Sequence, residues 1–355
     1  MKKLLVCSLL SISVLLGPFA AARFAQTSPS DDAYHYEYFQ DRRHDASYIE
    51  WWYFNLFSMD IQCVISYPVI NPDDILKRGL AGVTAVAYTE DGIVSEADYF
   101  APDQFHGSYD NADVEISGNF IVVNDDGSYK IQGSIQGEKH ISWNLIYTPL
   151  ASPWFARDRE KVGIFPWEVM SWLIYMPGAW VTGTVRIDDK TYEIAAPGYH
   201  DHNWGEWIPT HALWNWAQYY DPDNNLAFEM GDFRSKPVGV VSVEIAGRRV
   251  LFDKSEYLLI HKRWRYDSEN RKYFPVESWL YAENEDGKLV LTLQTIATEA
   301  LLSPEKLAAF LPELVLYEQT AHYEGQFWDK ASSEVTPISG DGFKEYTALK
   351  FQNEP

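Results

Sequence analysis

Short runs of alternating apolar and polar positions, each closed by Gly, Asn or Asp, recur along most of the chain. In the first half they are Val83 to Tyr88, Asp113 to Ile116, Phe120 to Val123, Tyr129 to Ile135 and Ile141 to Tyr147. A period of two places alternate side chains on opposite faces, so each run predicts a β-strand with one face turned to a core. Asp125-Asp126-Gly127 supplies a hairpin turn between two of them. The second half repeats the grammar. Gly239 to Ile245 and Arg249 to Phe252 flank Ala246-Gly247, and Ser278 to Ala282 and Lys288 to Thr295 flank residues 283–287. Two successive antiparallel meanders are predicted, in an all-β fold of sandwich or barrel type. Helix signals are few: Ser303-Pro304-Glu305-Lys306 starts a short helix that stops by Pro312, and a second is predicted over Trp167 to Leu173.

The start of the chain departs from this pattern. Met1-Lys2-Lys3, an apolar run from Leu4 to Leu16 and then Ala20-Ala21-Ala22 have the order of a secretory signal peptide, so residues 1–22 are expected to be a leader and the protein exported. No later stretch has the ~18 consecutive apolar residues of a membrane-spanning helix. About 330 residues remain, enough for two domains, and the aromatic region interrupted by Pro209 places their seam near Trp207 to His211. The expected division is 30–207 and 208–352. Of two cysteines only Cys63 lies beyond the leader, which leaves no intrachain disulfide. The formal net charge of −22 argues against nucleic acid and anionic membrane surfaces as partners.

Aromatic residues are abundant, with 14 Trp and 23 Tyr, and they gather in a few segments. Four stand out: Glu50-Trp51-Trp52-Tyr53-Phe54, Gly198 to Gly205, Trp214 to Asp221, and Gly340 to Tyr346. As strands, the second would place His200, His202 and Trp204 on one face and Tyr199, Asp201 and Asn203 on the other. The third would place Asn215, Tyr219 and Asp221 opposite Trp214, Trp216, Gln218 and Tyr220. A carboxyl among tryptophans is disfavoured as an anion and can serve as a proton donor near neutral pH. Asp201, Asp221 and Glu50 are the candidates, with His202 as a further acid or base; Asp201 and Glu50 can equally be structural groups that satisfy indole N–H donors. Zinc-type spacing (HExxH or paired cysteines), a Gly-x-Ser-x-Gly elbow and phosphate-binding glycine loops are all missing, so neither a metal nor a nucleotide cofactor is expected.

The Glu50 to Phe54 segment, and the Gly198 to Gly205 segment preceded by Met176-Pro177 and Val181-Thr182-Gly183, resemble the hydroxyneurosporene synthase (carotenoid hydratase) superfamily, which includes lipocalin-like Diels-Alderases and is distantly similar to tocopherol cyclase. The closing stretch, from Tyr317-Glu318-Gln319 through Gly325 to Gly342 and Tyr346, is similar to the last strands of that family's second barrel. The resemblance implies two consecutive lipocalin-like (calycin) antiparallel β-barrels with a few short helices and a hydrophobic pocket in or beside the first. It also implies chemistry without an organic cofactor, from hydration of a double bond to pericyclic cyclisation. It carries a His-x-Trp pair onto His202 and Trp204 and, on a shorter match, a Tyr-x-Asp pair onto Tyr219 and Asp221. On that basis Asp221, His202, Tyr219 and Trp204 are the expected catalytic set, and Trp52, Trp214, Trp216, Tyr199, Glu50 and Asp201 the expected substrate contacts.

The leading expectation is a hydratase or cyclase for an apolar polyene or isoprenoid-like molecule. The rival is an exported carrier of a lipid or pigment, since barrels of this size enclose ligands as readily as they catalyse. Convergence of Asp221, Tyr219 and His202 on one pocket is the feature that separates the two.

Overall fold

A computed structural model describes residues 27–40, 43–234, 236–302 and 314–349. The expected leader and the helix expected over 303–312 lie outside these residues. In the first half the strands are β1 (Tyr48–Phe57), β2 (Ile61–Ile70), β3 (Leu80–Thr89), β4 (Gly92–Phe100), β5 (Phe105–Gly107), β6 (Val114–Ile116), β7 (Asn119–Val123), β8 (Tyr129–Gln136), β9 (His140–Pro149), β10 (Trp154–Lys161), β11 (Val169–Ile187) and β12 (Lys190–Glu206). The second half holds β13 (Trp214–Asp221), β14 (Leu226–Phe233), β15 (Gly239–Ile245), β16 (Arg248–Asp253), β17 (Tyr257–Asp267), β18 (Lys272–Glu283), β19 (Gly287–Leu302), β20 (Leu314–Asp329) and β21 (Val335–Leu349). Every helical piece among the described residues is a short 3-10 turn, and none of their helices is long and apolar enough to cross a membrane.

The strands form two antiparallel sheets. The first runs β4-β3-β2-β1-β12-β11-β9-β8-β7-β6-β5, with β10 paired to β11 beside it, and the second runs β16-β15-β14-β13-β21-β20-β19-β18-β17. Both curl. Across the first interior the Trp143 indole N–H donates to the Tyr67 hydroxyl at 2.9 Å. In the second, Tyr257 on β17 donates to Asp232 on β14 at 2.8 Å, and Asn284, beyond β18, donates to the Leu251 carbonyl of β16 at 2.8 Å. The architecture is that of two consecutive lipocalin-like barrels, and residues 207–213 connect the sheets.

The helix expected over Trp167 to Leu173 is instead the start of β11, the longest strand. Its first half is buried on both faces, which erases there the apolar–polar alternation that marks a half-buried strand. Glu168 closes the preceding turn by accepting the amides of Ile164 and Phe165, each at 2.6 Å. From there Ser171 pairs with Trp204 and Leu173 with His202. Around Met176-Pro177 the register slips, a bulge at the proline, whose nitrogen cannot donate to the ladder.

The four aromatic segments are the middle of the molecule. Glu50 to Phe54 is in β1, which pairs with β12, the strand of Gly198 to Gly205. Trp214 to Asp221 is β13, which pairs with β21, the strand of Gly340 to Tyr346. The two pairs back onto each other. Trp172 lies so close over Gly231 that a Cβ there would stand 2.3 Å from the indole, and a Cβ on Gly178 would stand 2.2 Å from the Tyr220 ring. Side chains larger than hydrogen at these two positions would force the sheets apart.

Candidate functional site

Because β1 and β12 are covered on both sides, alternation sends their residues to two different places. Tyr48, Trp52, Phe54, Leu56 and Trp204 belong to the core inside the first barrel, while Ile49, Tyr53 and Tyr199 belong to the packing between the barrels. His200 and His202 go inward, and Asp201 goes to the seam, as the strand reading expects.

Inside the first barrel, imidazoles meet carboxylates. His202 Nε2 lies 2.8 Å from Glu50 Oε1, and its Nδ1 lies 3.2 Å from Asp32 Oδ1. His200 Nε2 lies 2.9 Å from Asp32 Oδ2, and His35 Nδ1 lies 3.4 Å from Glu50 Oε1. Two phenols complete the set: Tyr48 donates to Glu50 at 2.5 Å and Tyr129 to Asp32 at 2.8 Å. The rings are wedged flat, with His202 stacked on Trp52 at 4.4 Å, His35 on Trp204 at 3.8 Å and His200 on Phe54 at 4.0 Å. Asp32, Glu50, His200 and His202 are all fully buried. Burial alone would push the two carboxyls up, but the imidazoles outweigh it and hold both below the usual carboxylate range. Burial likewise opposes the charged form of His202, and Asp32 and Glu50 reverse this and raise it. His35, Glu50 and His202 each offer a donor atom within 4.8 Å of the others, so this is where a metal could sit.

The seam is chemically different. A cavity of about 50 Å³ lies between the barrels, walled by the indoles of Trp51, Trp172, Trp207, Trp214 and Trp216, with Asp201, Asp232 and Glu345 among its polar lining. Asp201 accepts from Tyr199 and Trp172, each at 2.8 Å, and from Asn203 at 3.1 Å. Burial still dominates and pushes its carboxyl up to about 6. Glu345 takes the Trp214 indole N–H at 2.6 Å and stands directly opposite Glu318 across β20 and β21. Tyr53 donates to Glu318 at 3.4 Å. Burial, and in Glu318 also the neighbouring carboxyl, pushes both glutamates above the usual range, since two adjacent buried acids resist ionising together.

The structure does not bring the expected catalytic set together. His202 and Trp204 are inside the first barrel, whereas Tyr219 is in the core of the second. Tyr219 stacks on Tyr323 and donates to the Ser339 carbonyl at 3.2 Å. Asp221 caps its own hairpin turn, accepting the Asp223 amide at 2.9 Å and the Asn224 side-chain amide at 2.6 Å. The reason is alternation on different sheets: an i, i+2 pair shares a face, but the inward face of β13 is not the inward face of β12. Among the expected substrate contacts, Trp214, Trp216 and Asp201 line the seam cavity and Tyr199 holds Asp201 in place. Trp52 and Glu50 belong to the first interior instead. Asp32 and His35, on the turns before β1, and Glu318 and Glu345 were missed. Glu345 fell inside the fourth aromatic segment, and a strand reading of β20 and β21 could have paired it with Glu318.

The fold and its two polar centres define a double lipocalin-like barrel. No protein-family model and no curated protein sequence matches the chain. Solved structures do match. A candidate AttH of Nitrosomonas europaea is 15% identical, with 94% of this chain and 99% of that one covered and a TM-score of 0.70. Kievitone hydratase of Nectria haematococca is 16% identical over 85% of this chain and 88% of that one, with a TM-score of 0.59. CghA with Sch210972 is 13% identical over 86% and 90%, with a TM-score of 0.57. At these identities the likeness is one of fold.

Proposed function

We propose that the chain is an enzyme of hydratase or cyclase type, acting on an apolar unsaturated small molecule in the seam, with the Glu318–Glu345 pair as its proton source. The observation that carries this reading is the pair itself: a buried Glu318 and a partly buried Glu345 opposite each other on β20 and β21, with Glu345 lining an indole-walled cavity. Such a pair retains a proton near neutral pH and can donate it. In the hydratase form Glu345 gives its proton to one alkene carbon, the indole faces stabilise the cation on the other, and water adds there and returns a proton to the carboxylate. In the cyclase form the walls hold the reacting ends together and the acid polarises a carbonyl. A cavity this small takes the reacting end of a chain, so the rest of the ligand runs out along the seam. Kievitone hydratase, itself a hydratase, has the same fold, which supports the first form.

Purified protein incubated with linear polyenes and isoprenoids, followed by mass spectrometry of the extract, tests the reading. A gain of one water identifies a hydratase, and an unchanged mass with altered retention a cyclase or isomerase. Glu345→Gln is expected to lose turnover at least 100-fold, the scale of a positioned general acid, while Asp221→Asn keeps it. The separation of His202, Tyr219 and Asp221 favours one second reading, a carrier whose cavity is walled mainly by rings. Unaltered ligand that copurifies, with no turnover in the unmutated chain, would establish it.

A further inference from the structure

We propose that the interior of the first barrel binds a divalent transition-metal ion of the zinc class through His35, Glu50 and His202, with Asp32 orienting His202. This goes beyond the seam reading and is independent of it. The donor types are right: two imidazole nitrogens and one carboxylate oxygen make the mixed set that zinc-class ions take. The spacing is near what an ion needs. Donors bound at about 2.0–2.1 Å in a tetrahedron stand roughly 3.3 Å apart; the three donor atoms lie within 4.8 Å of one another, Glu50 Oε1 is 3.4 Å from His35 Nδ1, and its 2.8 Å hydrogen bond to His202 Nε2 would open by about half an ångström to admit the ion.

The outer partners are those that metal ligands need. An imidazole that binds through one nitrogen is usually fixed by a carboxylate or carbonyl on the other, and here Asp32 Oδ1 stands 3.2 Å from His202 Nδ1. Both atoms are buried and neither has a hydrogen-bond partner elsewhere, so each is left to the other. Tyr48 holds the second Glu50 oxygen, and the stacks on Trp204 and Trp52 fix the planes of both imidazoles. His35 lies on a turn before β1 rather than on a strand and is buried with its two partners. Three protein donors leave a fourth position for water. Spacing along the sequence could not show this, because residues 35, 50 and 202 meet only once β1 pairs with β12.

The test uses the full chain, stripped by a chelator and titrated with Zn²⁺ by calorimetry and with Co²⁺ by visible absorption. The expected result is one ion per chain and the intense visible bands of low-symmetry four-coordinate Co²⁺. Asp32→Asn should weaken binding by about 10–100-fold, as loss of an outer partner does, and His35→Ala by more. His322→Ala, which removes an exposed histidine beside Asp341 and Glu324, should change nothing. Failure to take up either ion, a Co²⁺ spectrum of the hydrated ion only, or loss of binding in His322→Ala rather than His35→Ala would overturn the proposal. The cobalt spectrum of the unmutated chain decides it even if a variant fails to fold.

Discussion

The first barrel's interior and the seam between the barrels both take carboxyls largely out of water, yet their acids shift in opposite directions. Asp32 and Glu50 face imidazoles and are held low. Asp201 and Glu345 face indoles, phenols or another acid and are pushed up. Glu229, on β14, goes further, to about 8, with burial only partly opposed by Arg249. Burial sets the size of the desolvation penalty, and the partner decides whether the charged form survives it. One region is therefore a balanced ionic network and the other a reserve of protons.

The largest expected effect comes from breaking the balance. His202→Leu takes away the group standing between Asp32 and Glu50, and loss of one partner from a buried ionic set typically costs about 3–5 kcal/mol. Urea unfolding at pH 7 measures it; a loss below about 1 kcal/mol would mean the network contributes little to the fold. The acids that burial pushes up should respond in the opposite sense, and Glu229 is the clearest of them. The Glu229 carboxyl is raised on folding, so the folded state holds its proton more tightly than the unfolded chain. Its favourable contribution is complete below about pH 4.5 and is lost as pH rises through about 8. Glu229→Gln should thus match the unmutated protein near pH 4 and exceed it by roughly 2–4 kcal/mol at pH 9. Parallel stability–pH curves would show that Glu229 ionises in the folded state as it does in the unfolded one. The smallest effect is expected outside both regions: Asp221→Ala removes turn hydrogen bonds at a partly exposed site and should cost about 1 kcal/mol. A larger cost, with altered ligand binding, would return Asp221 to the functional site.

Much of this contrast could be read along the chain. Strand positions, the turns at Asp125-Asp126-Gly127 and Ala246-Gly247, and the opposed faces of His202 and Asp201 follow from period-two alternation, which is a local property. The structure shows β7 and β8 joined across the first turn and β15 and β16 across the second. Alternation fails where a strand is covered on both sides, which is why the start of β11 reads as a helix. It also says nothing about which sheet faces which, so it could not separate Tyr219 and Asp221 from His202. Asp32 and His35 gave no signal because they precede the first strand and reach the site through folded turns.

The ladder order has a consequence in time. In each sheet the opening strand lies beside the closing one: β1 against β12, and β13 against β21. A growing chain must therefore keep the aromatic, hydrogen-bond-hungry edge of β1 unsatisfied until the whole first sheet has been made, and then repeat the wait with β13. Such distant closures are slow and leave sticky edges open meanwhile. Each polar centre is therefore completed only when its own sheet closes, the first with β12 and the second with β21, and a helper that shields nascent strands would matter most just before those two strands emerge.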